Sequence, residues 1–458
     1  MKPSRYLVAL LALASLAACR NKSLDLPPDS GVFRALHAIP EAGLLTLTLD
    51  DNELGDFDFN QLRGIIRPGD LNHQVLIDIR LPGADSPTER LETLNVATAV
   101  DRVTTLVVNG TIDHPNVLTW EQPARDWASE AADAGSPLTV LEVSFGNASL
   151  SRGALDFYLG PENLDPTTST PVASLDYSEL QAKSQIDAGT YEVVVTPRGD
   201  PTTQLYHSAA LALPAATSLL FVAYDSSVLD DSGMPWLTVR SLGDGFSDVQ
   251  PNQKIPEVVR VLHAARDTGP LDVITTDDHV LLLSGLAFGS VSPYLIAPAE
   301  STSFTVTPTG QPDDGVSGFF AGGLPTVAET MMVGGPPDTL FTAVFIDDPR
   351  RVVTEAKVRL LQASANVPII DAYFVDPDAS IDNVVPTIFA LNQEFASTYF
   401  SMAAGSYDLV ITQSNTKDIV GGPTRVTFKN NGLYGIVITN APQEGQVSTL
   451  FIDDDPVN

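Results

Sequence analysis

Apolar and polar positions follow a period of two through most of the chain. The runs 46–50 (TLTLD), 74–79 (QVLIDI), 105–110 (TLVVNG), 191–196 (YEVVVT), 219–225 (LLFVAYD), 304–308 (FTVTP) and 407–412 (YDLVIT) alternate or stay apolar. They are rich in β-branched and aromatic residues, the composition of half-buried strands. Gly, Pro, Asn and Asp cluster between the runs at intervals near ten residues, which predicts antiparallel sandwiches. Helical periodicity is scarce, and only Glu121–Ala134 reads as a short linker helix.

The strand pattern repeats. Four openings align without a gap: 33–51 (FRALHAIPEAGLLTLTLDD), 142–160 (EVSFGNASLSRGALDFYLG), 259–277 (VRVLHAARDTGPLDVITTD) and 358–376 (VRLLQASANVPIIDAYFVD). His37, Asn147, His263 and Gln362 occupy one turn position, each followed by Ala, and nine residues later stand Thr46, Asp156, Asp272 and Asp371. Downstream, AGTYEVVVT (188–196) and AGSYDLVIT (404–412) are near-identical, with STSFTVTP (301–308) a degenerate third. The turn positions lie about a hundred residues apart, the size of an ordinary domain.

These features predict an all-β chain of four tandem immunoglobulin-like antiparallel β-sandwich domains, at 32–123, 138–244, 257–348 and 357–458. Of the joints, 124–137 and 243–257 are long and polar enough to bend. The third, 348–357, is short enough to hold the last two domains together.

The N-terminus has a different pattern. Residues 1–19 read MKPSRYLVALLALASLAAC, with a charged start, a short apolar run and a small-residue end. That is a cleaved secretory signal. Its Leu16-Ala17-Ala18-Cys19 ending resembles the lipobox of bacterial lipoproteins, which makes Cys19 the lipidated first residue of the mature chain. Residues 20–31 then serve as a polar tether. Cys19 is the single cysteine, so no disulfide within the chain is available and each domain depends on its own core. By the same resemblance, the absence of Asp after Cys19 favours an outer-membrane location. The chain carries 57 acidic and 25 basic residues, a net charge of −32. Such a surface repels phosphate backbones, so nucleic acid is not an expected partner.

Candidate chemistry is sparse. Asn147 and Gln362 cannot act as general bases, so the shared property of the His37/Asn147/His263/Gln362 position is a side-chain hydrogen-bonding group that ties the turn. Asp156, Asp272, Asp371 and Thr46 share an oxygen acceptor suited to a strand-end cap. The acidic clusters around Asp50–Asp58, Asp230–Asp231, Asp376–Asp382 and Asp453–Asp455 are calcium candidates, but the run from Asp50 fails the EF-hand pattern with Leu54 and Gln61 at ligand places. None of the common hydrolase, nucleotide-binding or metalloprotease motifs occurs, and the six His lack metal-ligand spacing. Trp236, or Trp120 with Trp127, could form a sugar platform, though such residues more often pack cores.

The third copy resembles a bacterial envelope family, domain-of-unknown-function family 4397. The matching residues are Val259, Arg260, His263, Ala264, Asp272, Val273, Leu286, Phe288, Gly289, Ser292 and Tyr294. The fourth copy matches at Ala363, Asp371, Tyr399, Gly405 and Tyr407, the second at Asp156, Gly189 and Tyr191, and the first at His37-Ala38. Glu300-Ser301 departs from the family's Gly. The resemblance implies exported tandem immunoglobulin-like sandwiches and no catalytic residues. The expectation is a non-catalytic, lipid-anchored envelope scaffold or adhesion-type protein, without cofactor or metal, that meets a protein or glycan partner. The alternative is a carbohydrate- or calcium-binding accessory protein of a polymer-degrading or envelope assembly system.

Overall fold

The computed structural model describes residues 30–83, 87–243, 247–276, 279–296, 303–319 and 328–453. Cys19 with its signal, most of the tether, Glu300-Ser301 and Asp454-Asp455 lie outside the described residues. The described residues hold four β-sandwiches in tandem, one for each repeat.

Each sandwich follows one plan. An opening strand (Ser30–His37, Val140–Asn147, Val258–His263 or Ala356–Gln362) ends at the repeated turn. The chain then crosses to a second sheet through Leu45–Leu49, Leu155–Gly160, Leu271–Thr275 or Ile369–Val375, adds one strand on the far side of the opening strand (Leu62–Pro68, Ser184–Asp187, Leu295–Ile296 or Phe400–Met402), and completes the second sheet. It returns beside the opening strand as Arg102–Gly110, Ser218–Leu229, Ala328–Gly334 or Leu433–Asn440. This last pairing is parallel in all four copies, for example His37↔Val108 and Gln362↔Ile438. The antiparallel sandwiches expected from the sequence are present, with this one parallel pairing in each. Parallel neighbours need a long crossover, and here the whole second sheet supplies it. Period-two alternation is the same for either strand direction and could not reveal this.

The second domain runs past its expected end at 244. Ser247–Gln250 adds a strand beside Pro235–Leu242, and Asn252 Nδ2 donates to the carbonyls of Leu205 and Leu237 at 2.9 and 3.3 Å. Part of the expected joint at 243–257 is thus integral to that domain.

Opening strands are buried on both faces, which explains why they read as apolar runs. In domain two, Leu141, Val143 and Phe145 enter the domain's own core with Phe157, Val195 and Phe221. In domain four, Val358 and Leu360 do the same with Leu409, Ile411 and Phe428. The intervening positions serve a different cluster.

The chain forms two compact units. One consists mainly of residues up to Lys254; the other consists of Ile255–Asn458 with the short segments Pro40–Gly43 and Ile79–Glu89. Within the first, Leu36, Ala38, Val107 and Trp120 of domain one share an apolar cluster with Ala148, Leu220, Val222 and Leu242 of domain two. The first joint is pinned as well. It contains the helix Trp127–Ala134, capped by Asp126, with Trp127 only 2% exposed and its Nε1 3.3 Å from Ser218 Oγ. The Arg125 guanidinium lies 4.0 Å from the Trp127 ring centre and bonds Glu130 and Glu142. The bend expected at 124–137 is therefore not available, because the apolar side of a short helix is buried.

Within the second unit, Leu262, Ala264 and Met332 of domain three meet Leu361, Ala363 and Val437 of domain four. These are equivalent positions of the repeat: Leu262 pairs with Met332 as Leu361 pairs with Val437. The surface is thus self-complementary, as in an isologous two-fold contact.

Candidate functional site

The four turn residues are fully buried and bond in one manner. Each accepts from the backbone N–H two residues on: His37 Nδ1 from Ile39, Asn147 Oδ1 from Ser149, His263 Nδ1 from Ala265, and Gln362 Oε1 from Ser364, at 3.0–3.3 Å. Three also donate to a carbonyl across the turn. Asn147 Nδ2 reaches Gly153 O at 2.7 Å, His263 Nε2 Gly269 O at 2.8 Å, and Gln362 Nε2 Val367 O at 2.8 Å. With Nδ1 accepting, the His263 proton is assigned to Nε2, and the ring is neutral. Burial pushes its pKa below the usual imidazole range, against the opposing effect of the Gly269 bond.

The strand-start carboxylates each tie down two turns. Asp272 accepts from Ser284 Oγ and Gly285 N on one side and from Thr309 Oγ1 and Gly310 N on the other, at 2.8–3.0 Å. Burial alone would raise its pKa, but these bonds outweigh it and hold the carboxyl below the usual range. Asp371 binds Ala390 N, Ser414 Oγ and Asn415 N, and Asp156 binds Ser174 Oγ and Gly199 N. Thr46 differs from the expected acceptor. Its hydroxyl donates to Asp56 Oδ1 at 2.6 Å, because in this copy the carboxylate sits opposite it on the paired strand.

The AGxY stretches form a tyrosine corner. Tyr191 OH donates to Asp187 O and Tyr407 OH to Ala403 O, at 2.9 and 3.1 Å. A Cβ on Gly189 or Gly405 would lie 3.3 or 3.5 Å from the following tyrosine ring, so the ring closes over each glycine.

One repeated element was missed in the sequence. Three residues before the turn stand Arg34, Arg260 and Arg359, a cation within each apolar opening strand. All three are at least 90% buried. Arg34 Nε donates to Thr105 Oγ1 and Arg260 Nε to the equivalent Thr330 Oγ1, at 2.9 and 2.8 Å. Arg260 and Arg359 lie 4.7 and 4.6 Å from the ring centres of Tyr294 and Tyr399. Ser292 and Ser397, two residues before those tyrosines, accept from Val261 N and Leu360 N and so place them. Asp347 completes the seam of domains three and four, accepting from Tyr294 OH, Thr330 Oγ1 and Arg359. The family-like Ser292 and Tyr294 thus support the carboxylate that Arg359 of domain four meets.

Other candidates do not converge. Asp50 bonds His73 Nδ1 and Gln74 N, Asp58 bonds Phe59 N, Asp230 pairs with Arg152, and Asp382 bonds Ser380 Oγ. Among the described residues no three His, Cys, Asp or Glu side chains are placed to hold a metal ion. Trp120 and Trp127 are 6% and 2% exposed, so that pair is packing and not a sugar platform. Trp236 is half-buried.

One concave surface does use the repeat anchors. In domain four, Gln362 holds Val367 and Asp371 holds Ala390 and Asn415, and between these segments lies an open groove of about 410 Å³. Val367, Pro368 and Ile369 line it together with Asn392, Gln413 and Asn415.

Residues 258–373 and 356–458 match the family described as "Domain of unknown function (DUF4397)". No curated protein matches the chain. Among solved structures, the Bacillus anthracis TIE protein aligns with 94% of this chain and 78% of its own, at 9% identity and a TM-score of 0.15. A leucine-rich repeat protein from Bacteroides thetaiotaomicron aligns with 43% of this chain and 26% of its own, at 7% identity and a TM-score of 0.11. Neither likeness carries an argument about this chain.

Proposed function

Residues 258–458 belong to this family of domains of unknown function, and from that premise we propose that the protein is a non-catalytic envelope scaffold or adhesion-type binding protein. It is anchored in the outer membrane by acyl chains on Cys19 and carries its paired sandwiches as a binding frame. The observation that carries this reading is the use of the repeated polar residues. His263, Asn147, Gln362 and the three strand-start aspartates have their hydrogen-bonding groups committed to turns, and Arg260, Asp347 and Arg359 to a domain seam. Such residues make a frame; recognition is left to its surface. Several modules in series also allow avidity toward a repetitive partner.

Affinity capture from envelope extracts on the full chain, followed by binding of the purified candidate, tests the proposal. A protein or glycan that binds again in pure form is the expected result. Recovery of nothing above background would overturn it. Calorimetry with calcium and a glycan panel addresses the carbohydrate- or calcium-binding accessory-protein alternative, for which a saturable heat with one of them is required.

A further inference from the structure

We infer that the groove of domain four binds an uncharged glycan. This rests on the proposed binding role and assigns to it a site and a ligand class. The repeat supplies its own controls, because strand register gives the equivalent positions in other domains. The places of Asn392, Gln413 and Asn415 hold Asp176, Pro197 and Gly199 in domain two, and Ala287, Pro308 and Gly310 in domain three. In domain two charged residues stand at these places: Arg198 pairs with Asp176 at 2.7 Å, and Arg152, at the place of Val367, pairs with Asp230. In domain three the Ala, Pro and Gly offer no side-chain donor or acceptor. Domain four alone among the three brings together three carboxamides.

Folding does not require them. Gly199 and Gly310 have φ of 77°, and Asn415 adopts the same left-handed turn at 63°. Glycine takes that conformation without steric cost and asparagine with some, so the carboxamide is an addition to a turn that glycine already satisfies. The Gln413 side chain is exposed and has no hydrogen-bond partner among the described residues. Asn392 and Asn415 use Nδ2 locally, on Ala390 O and Ser414 Oγ, which leaves their oxygens as acceptors.

A carboxamide offers a donor and an acceptor side by side, the complement of neighbouring hydroxyls. Pro368 and Ile369, both exposed, offer aliphatic surface to the C–H face of a sugar ring. The lining has no charge, so it offers a phosphate or carboxylate no ion pair, and the chain's −32 charge repels anionic polymers. An extended peptide would add to a strand edge, and the free edge here, along Ile388–Asn392, lies two strands away from Gly405–Gln413, which carries Gln413.

The test is calorimetry of the full chain with cellohexaose, maltohexaose, xylohexaose and chitohexaose at millimolar concentration. At least one is expected to bind, and the combined Asn392→Ala, Gln413→Ala, Asn415→Gly variant should weaken it about tenfold or more. Gln413→Ala alone, at an exposed side chain, gives a smaller loss in the same direction should the triple variant misfold. Flat titrations with all four, or binding that the variants leave unchanged, would overturn the inference. Flat titrations from a chain that still binds a purified protein would end this inference and leave the proposed function standing.

Discussion

Arg359 of domain four donates to Asp347 Oδ1 of domain three at 2.5 Å. Asp347, 1% exposed in its side chain, is also 3.5 Å from Arg260 Nε. One carboxylate therefore serves two buried guanidiniums from two domains. Removing it leaves both charges in a poorly solvated seam, the situation in which a broken buried pair costs about 3–5 kcal/mol. Asp347→Ala should lower the urea midpoint of the transition involving domains three and four by a corresponding amount. An unchanged midpoint would show that the seam gains nothing from this residue.

At the seam of domains one and two, where Arg34 Nη1 donates to Gly243 O at 3.1 Å, shape matters as well. Where the other copies have Leu36, Leu262 and Leu361, domain two has Gly146, and a Cβ there would stand 2.6 Å from Trp120 Cη2. Gly146→Ala should therefore destabilise by about 1–3 kcal/mol through overpacking. Combined with Trp120→Leu it should cost less than the sum of the single changes, since one change makes room for the other. Additive losses in a double-mutant cycle would refute the steric account.

How much of this was legible follows from the range of each interaction. The turn residue and the strand-start residue act on backbone groups at fixed places in their own domain, so their identities recur at a constant spacing and could be read. Gly146 answers to Trp120 in another domain and leaves no periodic trace, while Arg359 recurs as Arg34 and Arg260 but meets a partner, Asp347, that lies outside the repeated openings. A strand buried on both faces reads as apolar without saying what covers its second face. The groove was illegible for a related reason: Asn392 and Gln413 meet only through the register of separate strands.

His263 should be replaceable by the residue of its own repeat. In His263→Gln, Oε1 would take the Ala265 N–H and Nε2 would reach Gly269 O, as Gln362 does with Ser364 and Val367. The variant should stay within about 1 kcal/mol of the parent near neutral pH, whereas His263→Leu, which orphans both groups, should lose about 1–3 kcal/mol for each. The pH dependence gives the sharper test. Burial lowers the folded pKa of His263, so the unfolded chain binds the extra proton first as pH falls. The stability due to the neutral ring is thus complete above the unfolded value near 6.5 and declines as pH drops from there toward the folded pKa. His263→Gln should flatten that part of the stability–pH curve. A curve of parental slope would mean that another group titrates.

The anchor is tested by the one cysteine. If Cys19 carries the acyl chains, Cys19→Ala removes the sole thiol in the sequence. No helix among the described residues is long and apolar enough to cross a membrane. Several acyl chains hold a protein stably where a single chain is marginal, so the parent should sediment with membranes and incorporate an alkyne palmitate analogue. Cys19→Ala should lose the label and appear in the soluble fraction or remain as unprocessed precursor. Label retained by the variant would place the lipid elsewhere. An unlabelled variant of mature size that still sediments with membranes would show that something other than acylation holds the protein there.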